Sequence, residues 1–216
     1  MEDENSSSAN VGLLFTPENM NDLVDRLIAT DKDLARIVSR FGHPPHFGRE
    51  PGFSTLILII LEQQVSLASA RAAYNRLLEA VDGGLRPETF LPLTDEALKK
   101  IGFSRQKTRY GRELANAIFT EQLNLENLAK LSDEAVQVEL IKIKGIGIWT
   151  ANIYLMMCLN RADIWPVGDI AVEEAIKQIK GLDKRPKKDD FRAWGENWRP
   201  YRSIAAHLLW HYYLSV

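Results

Sequence analysis

The chain has 216 residues, 45% hydrophobic and 26% charged, with a formal net charge of −2. That length suits one large domain or two small ones sharing a core, and the near-neutral balance excludes a dedicated basic coat for nucleic acid. The longest candidate apolar run, Leu56 to Leu61, is far too short to span a bilayer, so no membrane partner is expected. A single cysteine, Cys158, excludes an intrachain disulfide and the multi-cysteine zinc and iron–sulfur sites. It sits in the apolar run IYLMMCL, where it reads as a buried small hydrophobe, and an intracellular location fits.

In chain order, the opening MEDENSSSAN lacks a basic segment followed by an apolar core, so residues 1–16 read as a disordered tail rather than a secretory signal. Leu23, Leu27, Ile28, Leu34, Ile37 and Val38 recur near helical spacing and predict one helix over Asn21–Phe41. Gly42-His-Pro-Pro ends it. Helices are then expected over Ser54–Gln63 and Leu67–Val81, closed by the Asp82-Gly83-Gly84 turn, and over Thr94–Ile101, Arg105–Gln122 and Ser132–Lys142. Three more follow over Trp149–Leu159, Asp169–Ile179 and Tyr201–Tyr213. β-branched alternation is nearly absent, which predicts an all-α fold. One internal echo stands out. Leu93-Thr-Asp-Glu-Ala precedes Ile101-Gly102, and Leu131-Ser-Asp-Glu-Ala precedes Ile146-Gly147; each is a capping hydroxyl followed by acids in the first helical turn.

Residues 140–155, LIKIKGIGIWTANIYL, carry the most information. They describe a helix, a tight turn on Gly145-Ile146-Gly147, and a second helix. Two glycines permit positive φ values, and Ile146 can tuck beneath the turn. The turn's amides then point outward at a helix start, which is an anion site fit for a DNA phosphate. Lys142 and Lys144 add positive charge.

This string resembles the helix-hairpin-helix motif of the DNA glycosylase superfamily that also carries a Gly/Pro-rich loop and a catalytic Asp (HhH-GPD). Leu61-Glu-Gln-Gln-Val-Ser66, Pro166-Val-Gly-Asp169 and Trp198-Arg-Pro-Tyr-Arg-Ser203 resemble further family elements in the same order, the last being similar to the alkylpurine branch, DNA-3-methyladenine glycosylase II. The resemblance spans roughly 51–213. It implies an all-α fold of two helical subdomains with a lesion cleft between them: 17–50 joined to 160–216, and 51–159 ending in the helix-hairpin-helix at about 132–159. It implies hydrolysis of the N-glycosidic bond of alkylated purines in double-stranded DNA by a monomer, leaving an abasic site.

Asp169 is the implied catalytic residue. Its local context alone reads as a helix N-cap, but it follows the hairpin turn by about twenty residues, as the family's catalytic Asp does, and the two roles are compatible. The carboxylate would stabilise the oxocarbenium-like sugar and orient or deprotonate water. Where strand-cutting relatives carry a lysine nucleophile, this chain has Trp149, which cannot form a Schiff base. Trp149 and Trp210 are implied to line the pocket and offer π-faces to a cationic base. Gln64 is the implied wedge for the vacated stack, with Gln63 beside it. Lys144, Gly145, Ile146, Gly147 and Thr150 complete the DNA-facing set. Two basic runs, Arg105 to Arg112 and Lys184 to Lys188, read as solvated faces with some phosphate contacts. No cofactor is required and no iron–sulfur cluster is expected, but backbone carbonyls of Ile141, Ile143 and Ile146 are implied ligands of a structural monovalent cation. A non-catalytic helix-hairpin-helix damage-binding protein is the alternative. A glycosylase for mismatched adenine or oxidised bases and a protein-interaction domain are less consistent with the missing cysteines, the missing lysine and the GIGIWTAN string.

Overall fold

In a computed structural model, residues 12–216 are described. Among them there are thirteen helices and no strand, as an all-α fold requires. The helices are α1 (Met20–Ile28), α2 (Lys32–Phe41), α3 (Phe53–Glu62), α4 (Leu67–Glu79), α5 (Pro87–Phe90), α6 (Asp95–Ile101), α7 (Arg105–Phe119), α8 (Leu125–Leu128), α9 (Asp133–Ile141), α10 (Ile148–Met157), α11 (Ile170–Ile179), α12 (Lys188–Glu196) and α13 (Arg202–Ser215).

Most helix starts follow from short polar side chains. Asp31, Ser66, Thr94, Ser104, Asn124, Ser132 and Asp169 each accept a backbone N–H of the first turn. The two echoed segments use the same device, Thr94 to the Ala97 amide and Ser132 to the Ala135 amide. α3, with FSTLILIILE apolar nearly all round, is buried along almost its whole length and is therefore a central helix. It packs on α4, α7 and α10, while α13 packs on α11, α2 and α1. No helix of the described residues is long and apolar enough to cross a membrane.

Three expectations need correction. Asn21–Phe41 is two helices, not one. Asp31 breaks the run because its carboxylate takes the amides of Asp33 and Leu34 at 2.9 and 3.0 Å and the Trp198 indole N–H at 2.9 Å. Periodicity carries across such a break, because the apolar face continues on both sides of it. The expectation of a disordered tail over 1–16 is also corrected at its C-terminal end. Residues 1–11 lie outside the described residues, but Leu14 bridges Arg161, Phe15 donates its amide to Asn160 O at 2.9 Å, and the Phe15 ring is fully buried against His46 and His207. Finally, α5, α8 and α12 were not expected; two are single turns, and α12 has a polar sequence with few apolar markers.

Candidate active site

Asp169 sits at the start of α11, after the loop Trp165-Pro-Val-Gly. The loop is wound tightly: the Val167 amide donates to Trp165 O at 2.9 Å, the Asp169 amide donates to Pro166 O at 3.0 Å, and Gly168 takes φ +91°. Its approach is braced by the 198–203 segment. Ser203 Oγ donates to Arg161 O at 2.6 Å and accepts the Ile164 amide at 3.1 Å. Arg199 and Arg202 both grip the Asp163 carboxylate at 2.7 Å. From the other side, Asn152 of α10 donates to Trp165 O at 3.0 Å and itself accepts from Gln137 of α9 at 2.7 Å. The loop that delivers Asp169 is thus tied to both hairpin helices.

The carboxylate is 7% exposed and receives three N–H donors. Oδ1 accepts the Val172 amide at 3.0 Å and the Trp210 indole at 3.2 Å; Oδ2 accepts the Trp149 indole at 3.1 Å. Asp169 is therefore a helix cap and also the meeting point of three helices, α10, α11 and α13. The sequence brings Asp169, Trp149 and Trp210 together as expected, but it assigned the indoles only a stacking role. Here their N–H edges orient the carboxylate. Oδ2, with one protein donor, keeps the larger acceptor capacity.

The hairpin turn is built on one strained position. Gly145 has φ +100°, and a Cβ there would lie inside the Tyr110 ring of α7. Gly147 has φ −94° and open space around it, so the expectation that both glycines supply positive φ holds for Gly145 alone. Ile146 is buried beneath the turn, and its amide donates inward to Ile143 O at 3.0 Å. Gly147 and Ile148 are exposed at the start of α10, which has no side-chain cap. Its first amides are free to meet an anion.

Three DNA-facing assignments change, beginning with Ile146, which is buried with its amide spent on Ile143 O. Thr150 is 2% exposed, and Gln63 Nε2 donates to its Oγ1 at 3.1 Å and to Gly145 O at 3.0 Å. These two side chains serve each other and the hairpin. Gln64 does stand exposed, with φ +58°, followed by Val65 and Leu67, which are also exposed. Within the first basic run, Lys107 donates to Leu61 O at 2.7 Å, and Arg112 donates to Leu91 O and Leu93 O at 3.1 and 2.6 Å. Arg105 and Arg109 remain exposed. The i, i+3 spacing of Lys107 and Tyr110 on α7 puts them on one face, but their partners, Leu61 O and Gly145, lie far away in sequence. Burial pushes the Cys158 thiol up to about 12, in keeping with an inert core residue. A polar cavity of about 340 Å³ lies between α9, α12 and the loop before Asp169, walled by Asp133, Gln137, Asp163, Arg199 and Arg202, but Asp169 does not line it.

A buried aspartate held by two indoles, set beside a hairpin with open amides, defines a DNA-repair architecture. The chain belongs to the HhH-GPD superfamily of base excision DNA repair proteins, which its residues 57–200 match. Among its relatives, the putative DNA-3-methyladenine glycosylase YfjP of Bacillus subtilis is 34% identical over 165 residues, covering 73% of this chain and 58% of that protein. DNA-3-methyladenine glycosylase 1 of Schizosaccharomyces pombe is 28% identical over 182 residues, covering 83% of this chain and 80% of that protein. The structure of the fission yeast 3-methyladenine DNA glycosylase Mag1 in complex with abasic DNA superimposes with a TM-score of 0.82 at 28% identity, over 88% of this chain and 95% of that one. The chain spans a little over half the length of two Bacillus subtilis relatives, 58% and 56%.

Proposed function

We propose that this chain is a monofunctional DNA glycosylase that hydrolyses the N-glycosidic bond of alkylated purines in double-stranded DNA, leaving an abasic site, and that it acts inside the cell as a monomer. The observation that carries this reading is the Asp169 carboxylate, buried and aimed by the Trp149 and Trp210 indoles, on a loop whose Trp165 carbonyl is tied through Asn152 and Gln137 to the hairpin helices. The names of the relatives support the substrate class.

In this reading the free amides at the start of α10, with Lys144 alongside, hold a backbone phosphate. Gln64 enters the stack as the target nucleotide leaves it. The cleft lies between a subdomain of 17–50 plus 160–216 and one of 51–159. Cleavage leaves positive charge on the sugar, and Asp169 Oδ2 faces it in a water-poor site where a fixed negative charge is most effective. The same oxygen can orient the attacking water. Alkylation at purine N3 or N7 makes the base cationic and a better leaving group, so little acid help is needed, and the π-faces of Trp149 and Trp210 favour a cationic base. No amine occupies the position of Trp149, so water rather than lysine completes the reaction. The neutral carbonyl oxygens of Ile141, Ile143 and Ile146 suit a hard monovalent cation; Ile143 O already accepts the Ile146 amide and keeps one lone pair. Such an ion would add positive charge beside the phosphate site.

The test is base release from methylated duplex DNA by wild type and Asp169→Asn side by side. The expected result is release by the wild type and loss of release, with DNA binding kept, in the variant. Binding without release by the wild type would instead identify a damage-binding protein.

A further inference from the structure

The turn between α3 and α4 carries Gln64 in a left-handed conformation, φ +58°, that a non-glycine residue adopts only when its surroundings hold it there. Three contacts fix the residues that lead into it. Glu62, the last residue of α3, is clamped by Arg49 through two parallel bonds of 2.8 and 2.9 Å. Lys107 of α7 donates to Leu61 O at 2.7 Å, at the negative end of the α3 dipole. Gln63 crosses to the hairpin, its single Nε2 shared between Gly145 O at 3.0 Å and Thr150 Oγ1 at 3.1 Å. The same face of α7 that supplies Lys107 places Tyr110 against Gly145, with its hydroxyl accepting from Gln106 at 2.6 Å. One joint therefore meets the end of α3, the phosphate-facing turn and the residue adjoining the wedge.

Resting on the glycosylase reading above, we propose that Gln63 is a positioning residue that couples the hairpin's hold on the strand to insertion of Gln64. The donor half of its amide is fully engaged: both N–H groups of Nε2 go to acceptors that belong to the hairpin. Any movement of the turn on meeting phosphate is passed through Gly145 O to the residue bonded directly to Gln64. Loss of the strut frees the Gln63–Ser66 linker while leaving the α10 amides in place. Strand binding and wedge insertion then separate.

The experiment compares wild type with Gln63→Met, which keeps the length and removes the donor, and with Thr150→Val and Thr150→Ser, which remove and keep one acceptor. Each is assayed on a methylated purine paired in duplex and on the same base opposite an abasic site, where it has no pairing partner and leaves the helix at lower cost. Fluorescence of 2-aminopurine placed next to the target reports insertion independently of chemistry. For Gln63→Met the expected result is a fall of about tenfold or more in release from the paired substrate, a clearly smaller fall on the unpaired one, near-normal affinity for undamaged duplex, and a lost fluorescence rise. Thr150→Val should follow in the same direction and Thr150→Ser should resemble wild type. Equal loss on both substrates, or no loss on either, overturns the proposal. Should Gln63→Met fail to fold, the Thr150 pair decides by the same criterion. If the wild type releases no base at all, the glycosylase reading fails, and the fluorescence comparison alone still decides whether Gln63 governs insertion.

Discussion

The indole N–H of Trp149 donates to Oδ2 of Asp169 at 3.1 Å, across twenty residues of sequence, and so binds the first turn of α10 to the residue that caps α11. Trp149→Phe keeps an aromatic face and removes this donor. The expected result is a fall in kcat of about 10- to 100-fold with KM for methylated DNA nearly unchanged, a loss of about 1.4–2.7 kcal/mol at the transition state. Equal kinetics for the two proteins would mean that the indole contributes only its ring.

Asp169 has a structural task as well as a chemical one, and two variants separate them. Asparagine can also cap, so Asp169→Asn should lose about 1 kcal/mol or less, its amide meeting one indole donor unfavourably. Asp169→Ala removes the cap and orphans both indole N–H groups, which should cost about 2–4 kcal/mol. Urea denaturation gives both values, and base release should be lost in each variant.

The two hairpin glycines should respond differently. Gly145→Ala requires a side chain at φ +100° inside the space of the Tyr110 ring, and should cost about 3 kcal/mol or more. Gly147→Ala meets nothing and needs no unusual φ, so its stability should stay within about 0.5 kcal/mol of wild type. If the α10 amides hold a phosphate as proposed, a methyl group at Gly147 would crowd it, so DNA affinity, read by fluorescence anisotropy, should fall although the melting temperature does not.

His207 makes stability depend on pH. Its Nδ1 lies 2.8 Å from Ser203 O, while Nε2 is buried without a partner, among Phe15, Phe47, Trp210 and His46. Burial lowers its pKa to about 4, the Ser203 carbonyl opposing and His46 adding to the shift. An unfolded chain would take up this proton near pH 6.5. The contribution is therefore complete above 6.5 and is lost as the pH falls towards 4, a change of about 3 kcal/mol. His207→Asn retains a donor towards Ser203 O and cannot titrate. The difference between the two proteins should narrow steadily over that window in denaturation profiles, and a parallel pair of profiles would refute the assignment.

The helices were legible because apolar spacing and capping residues report local physics, and the hairpin string and Asp169 were legible because their order and spacing are specific. What stayed hidden was long-range. Asp31 and Asp169 look alike in sequence, and both turn out to be helix caps that accept an indole N–H, from Trp198 and Trp149 respectively. Only the second lies beside the hairpin. Likewise Gln63 and Gln64 are identical neighbours, yet the end of α3 turns one inward and the other out. Nothing in their shared chemistry distinguishes them before the chain is folded.

Lys107 and Arg112 end on main-chain oxygens rather than in solvent. An encounter with a polyanion would then be guided by fewer mobile cations than the 105–112 segment contains. Fewer condensed ions would be liberated on contact, so affinity should decline gently with ionic strength, leaving the shape of the hairpin and its main-chain amides as the principal grip.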